Sequence, residues 1–217
     1  MAQVAGTGDL SMSQRSYEVL RDRLIMLEIA PGDPINEAGL AAELGVGRTP
    51  VREALKRLET DHLVVAYPRR GTFATPVDIT DLAAISELRA VLEPLAACRA
   101  ASHPRTAVHA RMRDTARRIE ALDPTGSRRD LMEFDLEVHR MIYAAAENAH
   151  LEETLVRLDN LATRVWCLVL DRLPSVTEHI REHVDLLDAI ADGDEDRAAH
   201  LAGEHVTHFE RTVRACL

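Results

Sequence analysis

Residues 45–59 read GVGRTPVREALKRLE. Val51, Ala54, Leu55 and Leu58 recur at three- and four-residue steps, so they predict one apolar stripe along a short helix. Thr49 stands where it can cap that helix, with Pro50 at the first helical position, where a missing N–H does no harm. Arg48, Arg52, Lys56 and Arg57 are left for the entrance and the outer side. This gathering of cations sits in a chain whose formal net charge is -10.

The flanking sequence extends the stretch into a small domain. Residues 13–30, SQRSYEVLRDRLIMLEIA, set Tyr17, Leu20, Leu24 and Leu27 at helical spacing before PGDP stops the helix. INEAGLAAELG predicts a short second helix on Ile35, Leu40, Ala41 and Leu44, ended by Gly45. After the third helix, residues 63–67 and 72–75 are β-prone and are joined by a turn carrying Arg69, Arg70 and Gly71. Three helices and a basic hairpin predict a winged helix-turn-helix over residues 13–76, behind a flexible tail of residues 1–12. A helix set in the major groove shows its N-terminal residues to base edges, where arginine grips guanine with two hydrogen bonds. A basic hairpin beside it follows the backbone or enters the minor groove.

Charge is divided unevenly along the chain. Residues 1–75 hold 9 Lys+Arg and 10 Asp+Glu, against 17 and 26 in the rest; residues 44–75 alone have six cations and three anions. A local basic patch on an acidic body suits a nucleic-acid-reading module joined to a larger non-binding domain. A solvated helix face is the competing reading of the same cations.

From residue 77 onward the texture changes to six long helical patterns without strands. Helix-forming Ala and Leu abound, and aromatics are 3%. The expectation is a mainly α protein, with an antiparallel all-helical bundle over residues 77–217. No basic leader with an apolar core and no membrane-length apolar run is visible, so a cytoplasmic protein with no membrane partner is expected. Cys98, Cys167 and Cys216 form no CxxC pair, which argues against a disulfide framework or a thiolate zinc site.

Four polar residues fall on bundle stripes that should be apolar. Asp135 and His139, at i and i+4, project from one helix face beside Met132, Leu136 and Ile142. His183 shares a stripe with Ile180, Leu187 and Ile190, and His205 lies between Ala202 and Phe209. One carboxylate and three imidazoles suit Zn²⁺ and are compatible with Ni²⁺, Mn²⁺ or Fe²⁺. Each histidine can instead be an ordinary core or surface residue, and His179, His200 and His208 compete as ligands. An unpaired buried Asp is costly, which favours coordination. No Gly-rich phosphate loop, GxSxG or HExxH is present, so no enzyme is expected. Because an open metal position also serves hydrolysis, a metalloenzyme with an accessory DNA-binding module stands as the alternative. A DNA-binding protein without an effector is a third class.

INEAGLAAELGVGRTPVREALKRLETDHLVVAYPRRGTFATPV, above all RTPVREAL, resembles the GntR family of bacterial transcription regulators. The likeness runs over about residues 15–217 and is to the FadR subfamily, whose C-terminal part is the helical, ligand-binding FCD domain. It implies that Arg48 and Arg52 contact bases or nearby phosphates, Thr49 the backbone, and Arg69, Arg70 and Gly71 DNA through the wing, with Lys56 as flanking charge. FDLEVH, EHVDLLDAI and EHVTHF correspond to the segments that supply metal ligands, here Asp135, His139, His183 and His205. The resemblance also implies a small carboxylic acid effector completing the metal's coordination. Arg89 would pair with the acid, and Arg164 and Trp166 would line its site; a surface pair with Glu93 is the other reading of Arg89. Gly47 stands where the family has Ser or Thr, and Ala38 replaces a frequent Arg. His62 replaces a frequent Gly and is expected to accept a left-handed turn. The expected whole is a homodimeric repressor on a palindromic double-stranded operator, modulated by acid binding.

Overall fold

The computed structural model describes residues 11–103, 106–123, 126–173 and 175–216. Residues 1–10 of the expected tail lie outside that set, and Ser11 already caps the first helix by accepting from the Gln14 amide. The chain divides into two compact units, Met1–Val77 and Asp78–Leu217.

In the first unit, α1 spans Met12–Ile25, α2 Glu37–Glu43 and α3 Arg48–Thr60. The first helix ends before residue 30 because Leu27 turns left-handed, with φ 56°. Asn36 caps α2, and Gly45, with φ 65°, turns the chain beyond it. Strands β1 (Val64–Tyr67) and β2 (Gly71–Ala74) pair antiparallel, from Val64 opposite Ala74 to Tyr67 opposite Gly71. Arg69 (φ 63°) and Gly71 (φ 97°) make the tight wing turn. His62 adopts φ 61°, as expected, and closes α3 toward β1. Val51, Ala54, Leu55 and Leu58 are all buried with Leu20 and Leu24 of α1. At roughly 1.5–3 kcal/mol for each large apolar side chain buried, this stripe fixes α3 and leaves its cationic side outside.

The capping of α3 differs from expectation. The helix begins at Arg48, its N-cap is Gly47, and no side chain caps it. Thr49 is therefore inside the first turn, where its hydroxyl cannot act as the cap. Pro50 is tolerated at the third position because first-turn N–H groups have no intrahelical acceptor.

The second unit contains the six expected helices: α4 (Asp81–Ser102), α5 (Thr106–Glu120), α6 (Arg128–Ala145), α7 (Ala149–Val169), α8 (Val176–Asp192) and α9 (Glu195–Ala215). A 3-10 turn, Leu170–Arg172, follows α7. Ser127, Asn148, Ser175 and Asp194 cap α6 to α9 through side-chain oxygens. Gly193 ends α8 at φ 77°, the left-handed position that terminates helices without a Cβ penalty. α4 lies along α9, α5 along α8, and α6 contacts α4, α7 and α8. The inward faces of α6, α8 and α9 meet in the bundle core.

Candidate metal centre and nucleic-acid face

Helical spacing brings Asp135, His139, His183 and His205 together, each at most 3% exposed. One donor atom from each of His139, His183 and His205 lies within 4.8 Å of the others. Asp135 joins them, its Oδ2 3.7 Å from His139 Nε2 and its Oδ1 3.6 Å from His183 Nδ1.

Hydrogen bonding fixes which nitrogen each ring offers. Tyr143 donates to Glu93 Oε1 at 2.9 Å, so its hydroxyl, 3.1 Å from His139 Nδ1, acts toward that ring as an acceptor. His183 Nδ1 faces the Ile180 carbonyl at 3.2 Å, and His205 Nδ1 faces Glu182 Oε2 at 2.9 Å. All three partners accept, so Nδ1 carries the proton and Nε2 keeps its lone pair. The Nε2 atoms of His183 and His205, and Oδ1 of Asp135, are buried without hydrogen-bond partners. Burial and repulsion among the rings hold His139 and His183 well below the ordinary imidazole range. Burial, followed by the nearby Arg89 charge, pushes His205 down to about 3. Neutral imidazoles are the form that coordinates a metal. Burial, then the Asp159 carboxylate, pushes Asp135 well above the carboxylate range. Three oriented lone pairs and an orphaned carboxylate oxygen fit a divalent cation, which would offset the cost of burying Asp135.

Arg89 is buried at 2% exposure and is not a surface residue. It pairs with Glu93 at 2.6 Å, as the other reading of its spacing held, and also with Asp159 at 3.3 Å. Burial opposes its charge, yet these carboxylates outweigh that and hold the guanidinium above its ordinary value. Asp159 is itself pushed up to about 6 by burial. Arg89 also stacks near Phe209, which meets Trp166 at 5.1 Å; Trp166 in turn meets the His179 ring at 4.4 Å. Trp166 is 3% exposed, with a buried Nε1 lacking a hydrogen-bond partner. Arg164 is buried on the same helix, and burial lowers it to about 10. Of the competing histidines, His200 is exposed beside Glu204, whereas His179 and His208 both face Glu182.

In the first unit Arg48, Thr49, Arg52, Lys56, Arg69, Arg70 and Gly71 are exposed. Arg52 pairs with Glu37 of α2 at 2.8 Å while 62% exposed. Arg57, left for the outer side in the sequence reading, donates to Gln14 at 2.6 Å and covers the Tyr17 ring at 3.9 Å. Its position on α3, toward α1, makes it a packing cation.

Four supporting residues were missed in the sequence reading: Glu93 as a buried acceptor, Tyr143, Asp159 and Glu182. Tyr143 follows His139 by four residues, a spacing that could have signalled it.

Residues 12–74 match the family described as bacterial regulatory proteins, gntR family, and residues 84–208 match the FCD domain. The chain is 32% identical over 190 residues to the Nta operon transcriptional regulator of Aminobacter aminovorans, covering 84% of this chain and 86% of that one. It is 24% identical over 203 residues to the HTH-type transcriptional repressor RspR of Escherichia coli (strain K12), covering 94% and 89%. The solved structure of E. coli McbR/YncC shares its fold, with a TM-score of 0.82 at 21% identity, covering 95% and 99%.

Proposed function

Since the chain belongs to the GntR family of bacterial regulatory proteins, which are DNA-binding transcription regulators and not enzymes, we propose that it is an acid-responsive, metal-containing repressor. Its FCD domain falls in the FadR branch in this reading, and the protein acts in the cytoplasm as a homodimer on a palindromic operator. Among the described residues no helix is long and apolar enough to cross a membrane.

Arg48 and Arg52 read bases or adjacent phosphates, Thr49 meets the backbone, and Lys56, Arg69, Arg70 and Gly71 flank the duplex. For Arg52 this means exchanging Glu37 for DNA. The exposed stripe of Leu88, Val91 and Leu95 on α4, at 52%, 67% and 48%, supports a second copy as the partner.

Asp135, His139, His183 and His205 hold a divalent ion, zinc in the first instance. The observation carrying this is the meeting of three buried, Nδ1-engaged rings, with donor atoms within 4.8 Å of one another, beside the Asp135 carboxylate. When bound, the ion supplies a fixed positive charge for a carboxylate effector. Arg164 and Trp166 line the effector site. Arg89 has its charge engaged by Glu93 and Asp159, so it orders the site's wall and releases a carboxylate only when the acid displaces it. The effector redistributes the dimer between operator-binding and non-binding forms.

The experiment is an operator shift with Arg52→Ala. The expected variant keeps its fold and metal but loses the shift; unchanged binding would remove α3 as the reading helix.

A further inference from the structure

Glu182 lies on α8 next to His183, but it faces a different set of rings. Its Oε2 accepts from His205, and its Oε1 contacts His208 Nδ1. His179 Nδ1 stands 3.6 Å from Oε2, beyond hydrogen-bond reach, and His179 Nε2 is buried without a partner. His179 is 5% exposed, held edge-on against Trp166. One donor atom from each of His179, Glu182 and His208 lies within 4.8 Å of the others. The inner centre uses Glu182 to orient His205, but it leaves His179 and His208 without a task.

We propose that His179, Glu182 and His208 form a second, solvent-facing site for a divalent cation such as zinc, separate from the inner centre. Two imidazoles and a carboxylate are a borderline-soft donor set matching zinc, nickel or cobalt. His179 and Glu182 are three residues apart on one face of α8, and His208 reaches across from α9. A hydrogen-bond hub explains Glu182 but gives the buried His179 ring no hydrogen bond, which is costly; a cation bound through one ring nitrogen gives that ring a partner. His208 is 50% exposed at its side chain and Glu182 28%, so water can complete the coordination and exchange is open. The inner three histidines and Asp135 are almost wholly buried, so an ion there exchanges less readily. Glu182 connects the sites, with one oxygen on the inner ligand His205 and the other toward the outer cation. Filling the outer site therefore acts on the carboxylate that orients an inner ligand.

The test is zinc content per chain of the full-length protein, after zinc loading and desalting into micromolar free zinc. Wild type, His208→Ala and His183→Ala are compared, with circular dichroism confirming their folds. Wild type is expected to hold about two ions, and each variant about one. About one ion in wild type and in His208→Ala, with none in His183→Ala, would overturn the outer site. About one in wild type and His183→Ala, with none in His208→Ala, would support the outer site while removing the inner one.

Discussion

The Tyr143 hydroxyl stands 3.1 Å from His139 Nδ1 while giving its own proton to Glu93. This relation fixes the His139 tautomer and directs Nε2 toward Asp135. Tyr143→Phe should free the ring and leave Glu93 short of a donor. The expected result is a 10- to 100-fold (order of magnitude) loss of metal affinity in chelator competition, with helical content retained. Unaltered affinity would show that the hydroxyl does not orient the ring.

Gly47 is an extended N-cap with φ -73°, and a Cβ there would meet Pro50 Cδ at 3.7 Å, an ordinary contact. Gly47→Ser therefore fits and supplies the missing capping hydroxyl. Stability should rise by a few tenths of a kcal/mol, and operator affinity about threefold through one added phosphate contact. Denaturant unfolding and fluorescence anisotropy measure the two effects separately. A gain in stability without a gain in affinity would place residue 47 away from the DNA backbone.

Asp159 is raised to about 6 in the folded chain from an ordinary 3.8, so the native state binds this proton more tightly than the unfolded state. The resulting stability is full below the unfolded value and is lost as pH rises through about 6. Asp159→Asn removes the titrating carboxyl while keeping the Arg89–Glu93 pair. Relative to wild type, the variant should therefore gain on the order of 1–3 kcal/mol between pH 4 and pH 7. Parallel unfolding curves at both pH values would contradict the assignment of this proton.

Leu88, Val91 and Leu95 repeat along the outer face of α4, while Leu82, Ile85, Ala96 and Ala97 are buried on the other. A helix apolar on both faces is suited to a second partner. Val91→Glu should turn a dimer into a monomer in sedimentation equilibrium without lowering helicity. A persistent dimer would move the interface to another face.

Helix α3 was legible because a 3.6-residue period exposes which side is buried: Val51, Ala54, Leu55 and Leu58 all went inside. Its start was misjudged by two residues, because Thr49 looks like a cap and Gly47 looks like a bend, and the choice depends on where the hydrogen bonds begin. Asp135 and His139 could be paired from i,i+4 spacing, and the stripe positions of His183 and His205 gave their direction. Asp159, on α7, could not be matched to Arg89, on α4, since only packing of distant helices brings them within 3.3 Å. Glu182 was hidden for a related reason. Beside a stripe histidine it reads as outer charge, and the donors it accepts from stand in place only once α9 lies alongside α8.

The most direct measurement of the central claim is operator affinity of the metal-loaded protein, by fluorescence anisotropy, across a panel of short mono-, di- and tricarboxylic acids. Thermal shift on the same panel reports which acids bind. At least one binding acid is expected to weaken operator affinity about tenfold, a coupling of about 1.4 kcal/mol, and His183→Ala should abolish that response while still binding DNA. An acid that stabilises the protein yet leaves operator affinity unchanged, or acts equally on His183→Ala, would contradict the account.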